Sequence, residues 1–226
     1  MAIISRLGTF QILTRAQLVC RQWRSICMDL LMWRTINKCN IGIYDSAHID
    51  DLEKMCMNAI DRSCGLLEDI SIECFGSNSL LKYIIDSQCQ LRRLQLVVCT
   101  RDISDEGLVQ IAERLPMLEE LDITVWPNVS NVALEAIGRG CPLLKSFKYC
   151  DINGYLNEKA FAIAQNMPNL RHLRLVANRL DNNGVRAILD GCPLLESLDL
   201  LCCGIVELEG ELRRRCDEQQ LKYFNL

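Results

Sequence analysis

The chain has 226 residues, of which 50% are hydrophobic and 24% are charged, and its net charge is −4. This composition is typical of a soluble folded protein that buries a sizeable core. The negative charge argues against a broad basic surface, so we expect neither nucleic acid nor an anionic membrane as a partner. No run of 18 apolar residues occurs, and no transmembrane helix is therefore predicted.

Residues 1–36 form a segment of bulky apolar residues at mixed helical spacings. The spacings predict two or three short helices, followed by Trp33 and Ile36 as the first strand pair. Because the apolar residues lie on more than one side of these helices, some must be buried against the first repeat or against a partner. The alternative is that the segment only caps the open end of the repeats that follow. The apolar positions are Ile3, Ile4, Leu7, Phe10, Ile12, Leu13, Ala16, Leu18, Val19, Trp23 and Ile26.

After a joining segment with one helical stripe (residues 52–60), the pattern L-x-x-L-x-L recurs with an almost constant period. Successive copies lie 24, 27, 26, 26, 25 and 26 residues apart. A period held over six steps indicates a repeat architecture. The phase predicts that Tyr223 occupies the same row of the last strand as Ser197 does in the preceding one. The copies begin at Leu67, Leu91, Leu118, Leu144, Leu170, Leu195 and Leu221.

Each copy predicts one short strand and one helix. Its last two apolar residues are two positions apart, which is the strand period. A polar turn and an apolar stripe at helical spacing follow, as in Ser104 and then Leu108, Ile111 and Leu115. Prolines at 116, 142, 168 and 193 come after the helices, which they cannot continue. Such a unit buries its apolar face only when units stack. We therefore predict an α/β leucine-rich-repeat solenoid, with parallel strands on the concave side and helices on the convex side. A doubly wound sheet also alternates strands and helices, but it does not require a fixed period.

The 14 cysteines follow the repeats instead of forming metal or disulfide motifs. Cys64, Cys141 and Cys192 occupy helix ends, where a small buried thiol fits. We interpret them as reduced core cysteines of an intracellular protein, because the first residues also lack the charged lead and apolar core of a signal peptide. Cytoplasm and/or nucleus is the expected location. No C-x-x-C pair occurs, and His48 and His172 lack metal-ligand spacing, so we expect neither a metal nor a cofactor.

Two motifs carry a family resemblance that covers nearly the whole chain. Ile4-x-x-Leu7, the V-C-x-x-W-R run that begins at Val19, and the downstream Trp33 resemble the back part of an F-box. The C-P-x-L-x-x-L-x-L repeats resemble those of plant-type F-box/LRR-repeat proteins. Two departures concern the F-box: its usual opening Leu-Pro turn is absent from the sequence, and Leu30 stands where the family pattern has proline. The resemblance therefore predicts an incomplete F-box-like unit at 1–36 and leucine-rich repeats at 37–226.

The resemblance implies a substrate-recognition subunit of an SCF-type ubiquitin ligase. Such a subunit binds a Skp-type adaptor, and through it a cullin, with its F-box, and it binds a substrate protein, here unidentified, with its repeats. The alternative is a protein-interaction scaffold that does not dock on the adaptor. The residues that match the family pattern for adaptor binding are Ile4, Leu7, Val19, Cys20 and Trp23.

Substrate binding is predicted on the concave face, where the strand residues between the framework leucines point. Acidic and basic residues adjoin there beside the apolar Val176 and Leu201, a mixture that suits a protein or peptide partner. The sequence has no G-x-S-x-G motif, phosphate-binding glycine loop or metal cluster, so we expect no catalytic residues and no enzymatic activity. The predicted substrate-binding residues are Arg93, Glu120, Asp122, Lys148, His172 and Arg174.

Overall fold

The computed structural model describes residue 4 and residues 7–37, 49–99, 103–125, 129–150, 157–203 and 209–224. It divides into two compact units, Met1–Ile103 and Ser104–Leu226. None of the helices in the described ranges is long and apolar enough to cross a membrane.

The first unit begins with short helical pieces, as the sequence predicts. They are α1 (Thr9–Gln11), a π-helical turn (Ile12–Ala16), α2 (Gln17–Val19), α3 (Arg21–Cys27) and a 3₁₀ turn (Leu30–Trp33). The sulfur of Cys20 caps α3 by accepting a hydrogen bond from the backbone N–H of Trp23, at 3.5 Å. Phe10, Ile12, Leu13, Ala16 and Cys27 are buried and form the core of this segment.

Trp33 ends the 3₁₀ turn and does not begin the first strand, so its predicted strand position is wrong. Asp29 caps the turn, because its carboxylate accepts a hydrogen bond from the N–H of Leu31 at 3.0 Å. The indole Nε1 of Trp33 then donates to the carbonyl oxygen of Cys27 at 3.0 Å, and the ring is 1% exposed. The strand itself, β1, is Thr35–Ile36.

The remainder of the first unit contains α4 (Ile49–Ser63), β2 (Asp69–Glu73), α5 (Asn78–Asp86) and β3 (Arg93–Cys99). Strands β1, β2 and β3 pair in parallel and in chain order. The predicted helical stripe lies within α4, where Cys56 and Ile60 are fully buried.

The second unit repeats one strand and one helix. Its strands pair in parallel and in chain order, and helices α6 to α9 pack as successive neighbours. Burial alternates along β5, where Phe147 and Tyr149 are buried between half-buried residues, so one face of the strands is open. This parallel strand–helix repeat confirms the leucine-rich-repeat fold. The elements are α6 (Asp105–Arg114), β4 (Glu120–Val125), α7 (Asn131–Gly140), β5 (Ser146–Cys150), α8 (Glu158–Asn166), β6 (His172–Val176), α9 (Asn182–Gly191), β7 (Ser197–Leu201), α10 (Gly210–Glu218) and β8 (Lys222–Phe224).

Glycines at the carboxyl ends of α7 and α9 allow these helices to approach the preceding helix closely. A Cβ atom on Gly140 would lie 2.2 Å from the carbonyl oxygen of Ala112, and one on Gly191 would lie 2.1 Å from that of Ala164. Real side chains do not make contacts this short, so the stacking distance depends on the absence of a side chain at both positions.

The last strand departs by one residue from the predicted register. Ser197 pairs with Lys222, and Leu198 pairs with Tyr223, so Lys222 and not Tyr223 continues the row of Ser197. The connection before this strand also differs from those in the preceding repeats. Helices α6 to α9 are followed by a proline turn, whereas α10 is followed by Gln219, a left-handed Gln220 and the buried Leu221.

Candidate functional site

The helical start of the first unit carries large apolar residues that are exposed at both ends of α3. Leu18 and Val19 precede α3 with 75% and 63% of their surface exposed, and Met28, Leu30 and Leu31 follow it with 48%, 43% and 62% exposed. These five residues are called the apolar helical surface. Because the seven residues of α3 span only about 10 Å, a single partner can cover both of its ends. Large apolar residues grouped on a surface mark an interaction site more often than a solvated face.

The five predicted adaptor-binding residues differ in accessibility. Val19 and Cys20 are exposed, and Leu7 and Trp23 are half-buried. Ile4 is only 2% exposed, so its side chain lies in the core and offers no surface to a partner. Of these five residues, Val19 belongs to the apolar helical surface, Cys20 is the exposed residue that follows it, and Ile4 lies in the core.

Four residues of the apolar helical surface were not among the predicted site residues: Leu18, Met28, Leu30 and Leu31. The signal for the last two was available in the sequence, because Leu30 and Leu31 directly follow Asp29, a residue type that favours helix caps. Residues that follow a cap enter a turn, and an apolar pair there has no strand or long helix to bury it.

On the second unit, the strand register aligns the predicted substrate-binding residues on the open face. Glu120, Ser146, His172, Ser197 and Lys222 form one row across five strands. The next row holds Asp122, Lys148, Arg174 and Asp199. These nine residues are called the polar strand face. The structure therefore brings together all the predicted substrate-binding residues of this unit, and Arg93 belongs to the first unit.

Four charged residues of the polar strand face form ion pairs across neighbouring strands. The Nζ of Lys148 lies 2.8 Å from Oδ2 of Asp122, and the Nε of Arg174 lies 3.1 Å from Oδ2 of Asp199. The Nδ1 of His172 is 3.0 Å from Oγ of Ser197. In the first unit, Arg93 forms the same kind of pair with Asp69, at 2.8 Å.

In each of these ion pairs the cation is more exposed than the carboxylate. The side chain of Lys148 is 33% exposed against 17% for Asp122, and that of Arg174 is 47% exposed against 27% for Asp199. Lys148 and Arg174 also face each other across β5 and β6. The centre of the face therefore presents two cations whose carboxylate partners lie on the outer strands.

A third row on the same face is apolar. Cys150 pairs with Val176, and Val176 pairs with Leu201, each of them half-buried. This row lies two residues beyond Lys148 and Arg174, which is about 6.6 Å along a strand. The open face thus offers charged groups that fix orientation beside apolar contact area.

Burial favours the neutral form of three thiols in the second unit. Desolvation by burial raises the pKa of Cys141, Cys192 and Cys203 to about 11 in each case. A neutral thiol is a weak nucleophile and a poor metal ligand. Among the described residues, no group of three His, Cys, Asp or Glu side chains is placed to hold a metal ion.

Comparison with known proteins identifies the family. The F-box-like family model matches residues 1–39, and a leucine-rich-repeat model matches residues 166–189. Putative F-box/LRR-repeat protein 23 of Arabidopsis thaliana is 43% identical over 96% of this chain, which spans about half of that relative, 49%. F-box protein SKIP19, also from Arabidopsis thaliana, is 44% identical over 96% of this chain and 71% of its own length.

Putative F-box/LRR-repeat protein 9 of Arabidopsis thaliana is 40% identical over 93% of this chain and 87% of its own length. A solved structure, that of the yeast Rad7 and Elc1 complex, matches 80% of this chain and 42% of that chain with 18% identity and a TM-score of 0.45. The relatives of Arabidopsis thaliana match in both the helical segment and the repeats, as the sequence motifs predict. On this similarity, the chain belongs to the family of F-box/LRR-repeat proteins.

Proposed function

We propose that this protein is a non-catalytic substrate-recognition subunit of an SCF-type ubiquitin ligase. The apolar helical surface binds a Skp-type adaptor, and through it a cullin, and the polar strand face binds a substrate protein. The observation that carries the proposal is the exposure of the apolar helical surface in a segment that matches the F-box-like family. Cytoplasm and/or nucleus, where ubiquitin ligases of this type work, is the proposed location.

The apolar helical surface is suited to a stable partner because a large part of its side-chain area is exposed in the chain alone. Leu18 and Leu31 are 75% and 62% exposed, whereas the inward side of the same segment already buries Phe10 and Leu13. Burying a leucine side chain contributes about 1.5–3 kcal/mol. Burial of these residues in an interface therefore contributes free energy of association that folding of the chain alone does not provide.

The polar strand face is suited to selecting a substrate more than to binding it tightly. Lys148 and Arg174 already have carboxylate partners, so a substrate that binds them gains only the difference between the old and the new contacts. Such contacts discriminate strongly between partners, because a like charge placed opposite Lys148 and Arg174 is repelled. The apolar row of Cys150, Val176 and Leu201 adds contact area beside them.

The adaptor proposal is tested by isothermal titration of the purified chain with a purified Skp-type adaptor. Saturable one-to-one binding is the expected result. Absence of binding with a folded chain would favour the alternative function, an interaction scaffold that uses the repeats without the adaptor.

The substrate proposal is tested with a charge swap that keeps the ion pair but moves its cation. In Asp122→Lys/Lys148→Asp the pair remains, while the cation leaves the centre of the face. The matched control is Glu119→Lys/Lys145→Glu, because that pair is also 2.8 Å long and joins the same two neighbouring repeats, but neither residue belongs to the polar strand face.

The proteins captured from a plant lysate by the wild type and the two variants are then quantified. We expect specific partners to be retained by the control and reduced about tenfold by the swap, which corresponds to about 1.4 kcal/mol. Equal capture by both variants would contradict substrate binding at the polar strand face.

A further inference from the structure

Basic and acidic residues are separated by strand on the polar strand face. Strands β5 and β6 carry Lys148, His172 and Arg174, and neither strand contains an Asp or Glu. The strands on either side carry carboxylates, as in Asp122 on β4 and Asp199 on β7, and contain no Lys, Arg or His. A basic band two strands wide is therefore bordered by acidic residues on both sides.

Within this basic band, Lys148 and Arg174 lie directly opposite each other in the parallel register of β5 and β6. Neighbouring strands are about 4.8 Å apart, and like charges at opposed positions of a sheet destabilise it. The carboxylates that pair with the two cations belong to β4 and β7, so they contact the cations from the outer sides. An anion that binds between the two cations would therefore reduce a repulsion that remains in the chain alone.

Both cations have N–H groups that a ligand can reach. An ammonium and a guanidinium each have several N–H donors, and Arg174 contacts Asp199 through its Nε, which leaves the terminal nitrogens of its guanidinium for other contacts. The side chains of Lys148 and Arg174 are 33% and 47% exposed while they are paired. The two cations can therefore hold a carboxylate of a partner without first leaving their own ion pairs.

The basic band continues along the strands into the apolar row. Cys150 and Val176 lie two residues beyond Lys148 and Arg174 on the same two strands, which is about 6.6 Å. Alternate side chains of an extended peptide have the same separation. An extended segment that lies along β5 and β6 can thus place an acidic side chain at the cations and an apolar side chain at Val176.

The acidic borders limit the width of the anion that fits. A nucleic acid carries a continuous series of phosphates, some of which would lie against Asp122 or Asp199 and be repelled. A single carboxylate fits the band, because Asp122 and Asp199 already make this kind of contact with the same cations at 2.8 and 3.1 Å. The charge distribution therefore favours an acidic peptide segment over a polyanion.

We propose that the substrate protein binds the polar strand face with an extended segment in which an Asp or Glu lies two residues from a large aliphatic residue. The carboxylate accepts hydrogen bonds from Lys148 and Arg174, and the aliphatic side chain packs on Val176 and its neighbours in the apolar row. This inference rests on the proposed function and deepens it, because it names the chemistry by which a substrate is recognised.

The experiment selects a phage-displayed library of random peptides on the immobilised full chain and sequences the retained peptides. We expect enrichment of peptides in which Asp or Glu lies two residues from Leu, Ile, Val or Met. The most enriched peptide is then labelled, and its affinity for the full chain is measured by fluorescence anisotropy. Replacing its acidic residue by the corresponding amide should weaken binding about tenfold. A consensus without an acidic residue, or no enrichment, would overturn the proposal.

Two double variants with the same change of charge locate the binding. Lys148→Gln/Arg174→Gln should weaken binding of the labelled peptide at least about tenfold. Arg139→Gln/Arg186→Gln, at exposed positions on α7 and α9, should bind it as the wild type does. Equal losses in both variants would show attraction by net charge alone and contradict the proposal. The amide peptide tests the same contact on the unchanged protein, so the test does not depend on the folding of a variant.

A phosphoserine in place of the acidic residue tests the other source of an anionic side chain. Its affinity should stay within about tenfold of that of the carboxylate peptide, because Asp122 and Asp199 oppose the additional negative charge. A larger gain would assign the basic band to a phosphorylated substrate and overturn the assignment to Asp or Glu.

The lysate capture with the charge swap tests substrate binding separately. If the swap reduces capture but the selected peptides lack an acidic residue, the polar strand face binds a substrate of another chemistry, and only this inference fails. If the swap leaves capture unchanged, the proposed substrate function of the face fails, and this inference fails with it.

Discussion

Replacing Leu18 and Leu31 together with serine should abolish most adaptor binding without unfolding the protein. Complete burial of a leucine is worth about 2 kcal/mol, so the exposed 75% of Leu18 and 62% of Leu31 represent about 1.5 and 1.2 kcal/mol of unused burial. If the adaptor covers both side chains, their loss should weaken binding about 100-fold. The effect on folding should stay within about 0.5 kcal/mol, because neither side chain belongs to the core.

The assay is isothermal titration with the purified Skp-type adaptor, combined with thermal unfolding of each variant. Val132→Ser is the matched control, since Val132 is 65% exposed but lies on α7 of the second unit. It should bind the adaptor as the wild type does. A double variant that is folded and binds within threefold of the wild type would refute the assignment of the apolar helical surface to the adaptor.

Two further predictions concern the repeats themselves. Gly191→Ala should lower the free energy of unfolding by about 1–3 kcal/mol, because the new Cβ would meet the carbonyl oxygen of Ala164 at 2.1 Å. Chemical denaturation measures this, and Arg186→Ala, an exposed change on the same helix, should cost less than about 0.5 kcal/mol; equal effects would show that the helices readily move apart. The buried Cys141, Cys192 and Cys203 should resist Ellman's reagent at pH 8 until the protein unfolds, since burial raises the pKa of each to about 11. The exposed Cys20, Cys64 and Cys202 should react first, and a single rapid phase for all the thiols would contradict this order.

The same pKa shifts make stability depend on pH in the alkaline range. The folded pKa of these three thiols, about 11, lies above the ordinary value of 9.0, so the neutral form is favoured in the folded state. Their contribution to stability is therefore fully present below pH 9, and it is lost as the pH rises through about 11. The denaturation midpoint should fall across this alkaline range.

The sequence predicts the repeats well because each repeat has the same spacing of apolar residues. A framework leucine fixes where a strand begins, and the burial of Phe147 and Tyr149 follows from their spacing of two. The prediction fails where a local interaction replaces that pattern. Trp33 has the spacing of a strand residue, yet Asp29 caps a turn that draws the indole toward Cys27. In the last repeat, the framework leucine Leu221 is retained but the strand register shifts by one residue.

The candidate sites could also be predicted only in part, because a sequence pattern gives the face on which a residue lies but not its contacts. Alternation along a strand places Lys148 and Arg174 on the open face, but their pairing with Asp122 and Asp199 depends on side-chain geometry across strands.

The two proposed binding surfaces make different physical demands, and each lies on a kind of structure that suits its demand. The apolar helical surface gains free energy by burial, which is tolerant of small shifts, so short helices joined by turns can present it. The polar strand face must hold Lys148 and Arg174 in a defined position for charge to discriminate between partners. Parallel strands fix that position, and the ion pairs with Asp122 and Asp199 hold each cation between contacts with a partner. A substitution on the helical surface should therefore change adaptor affinity, whereas a charge swap on the strand face should change which substrate is bound.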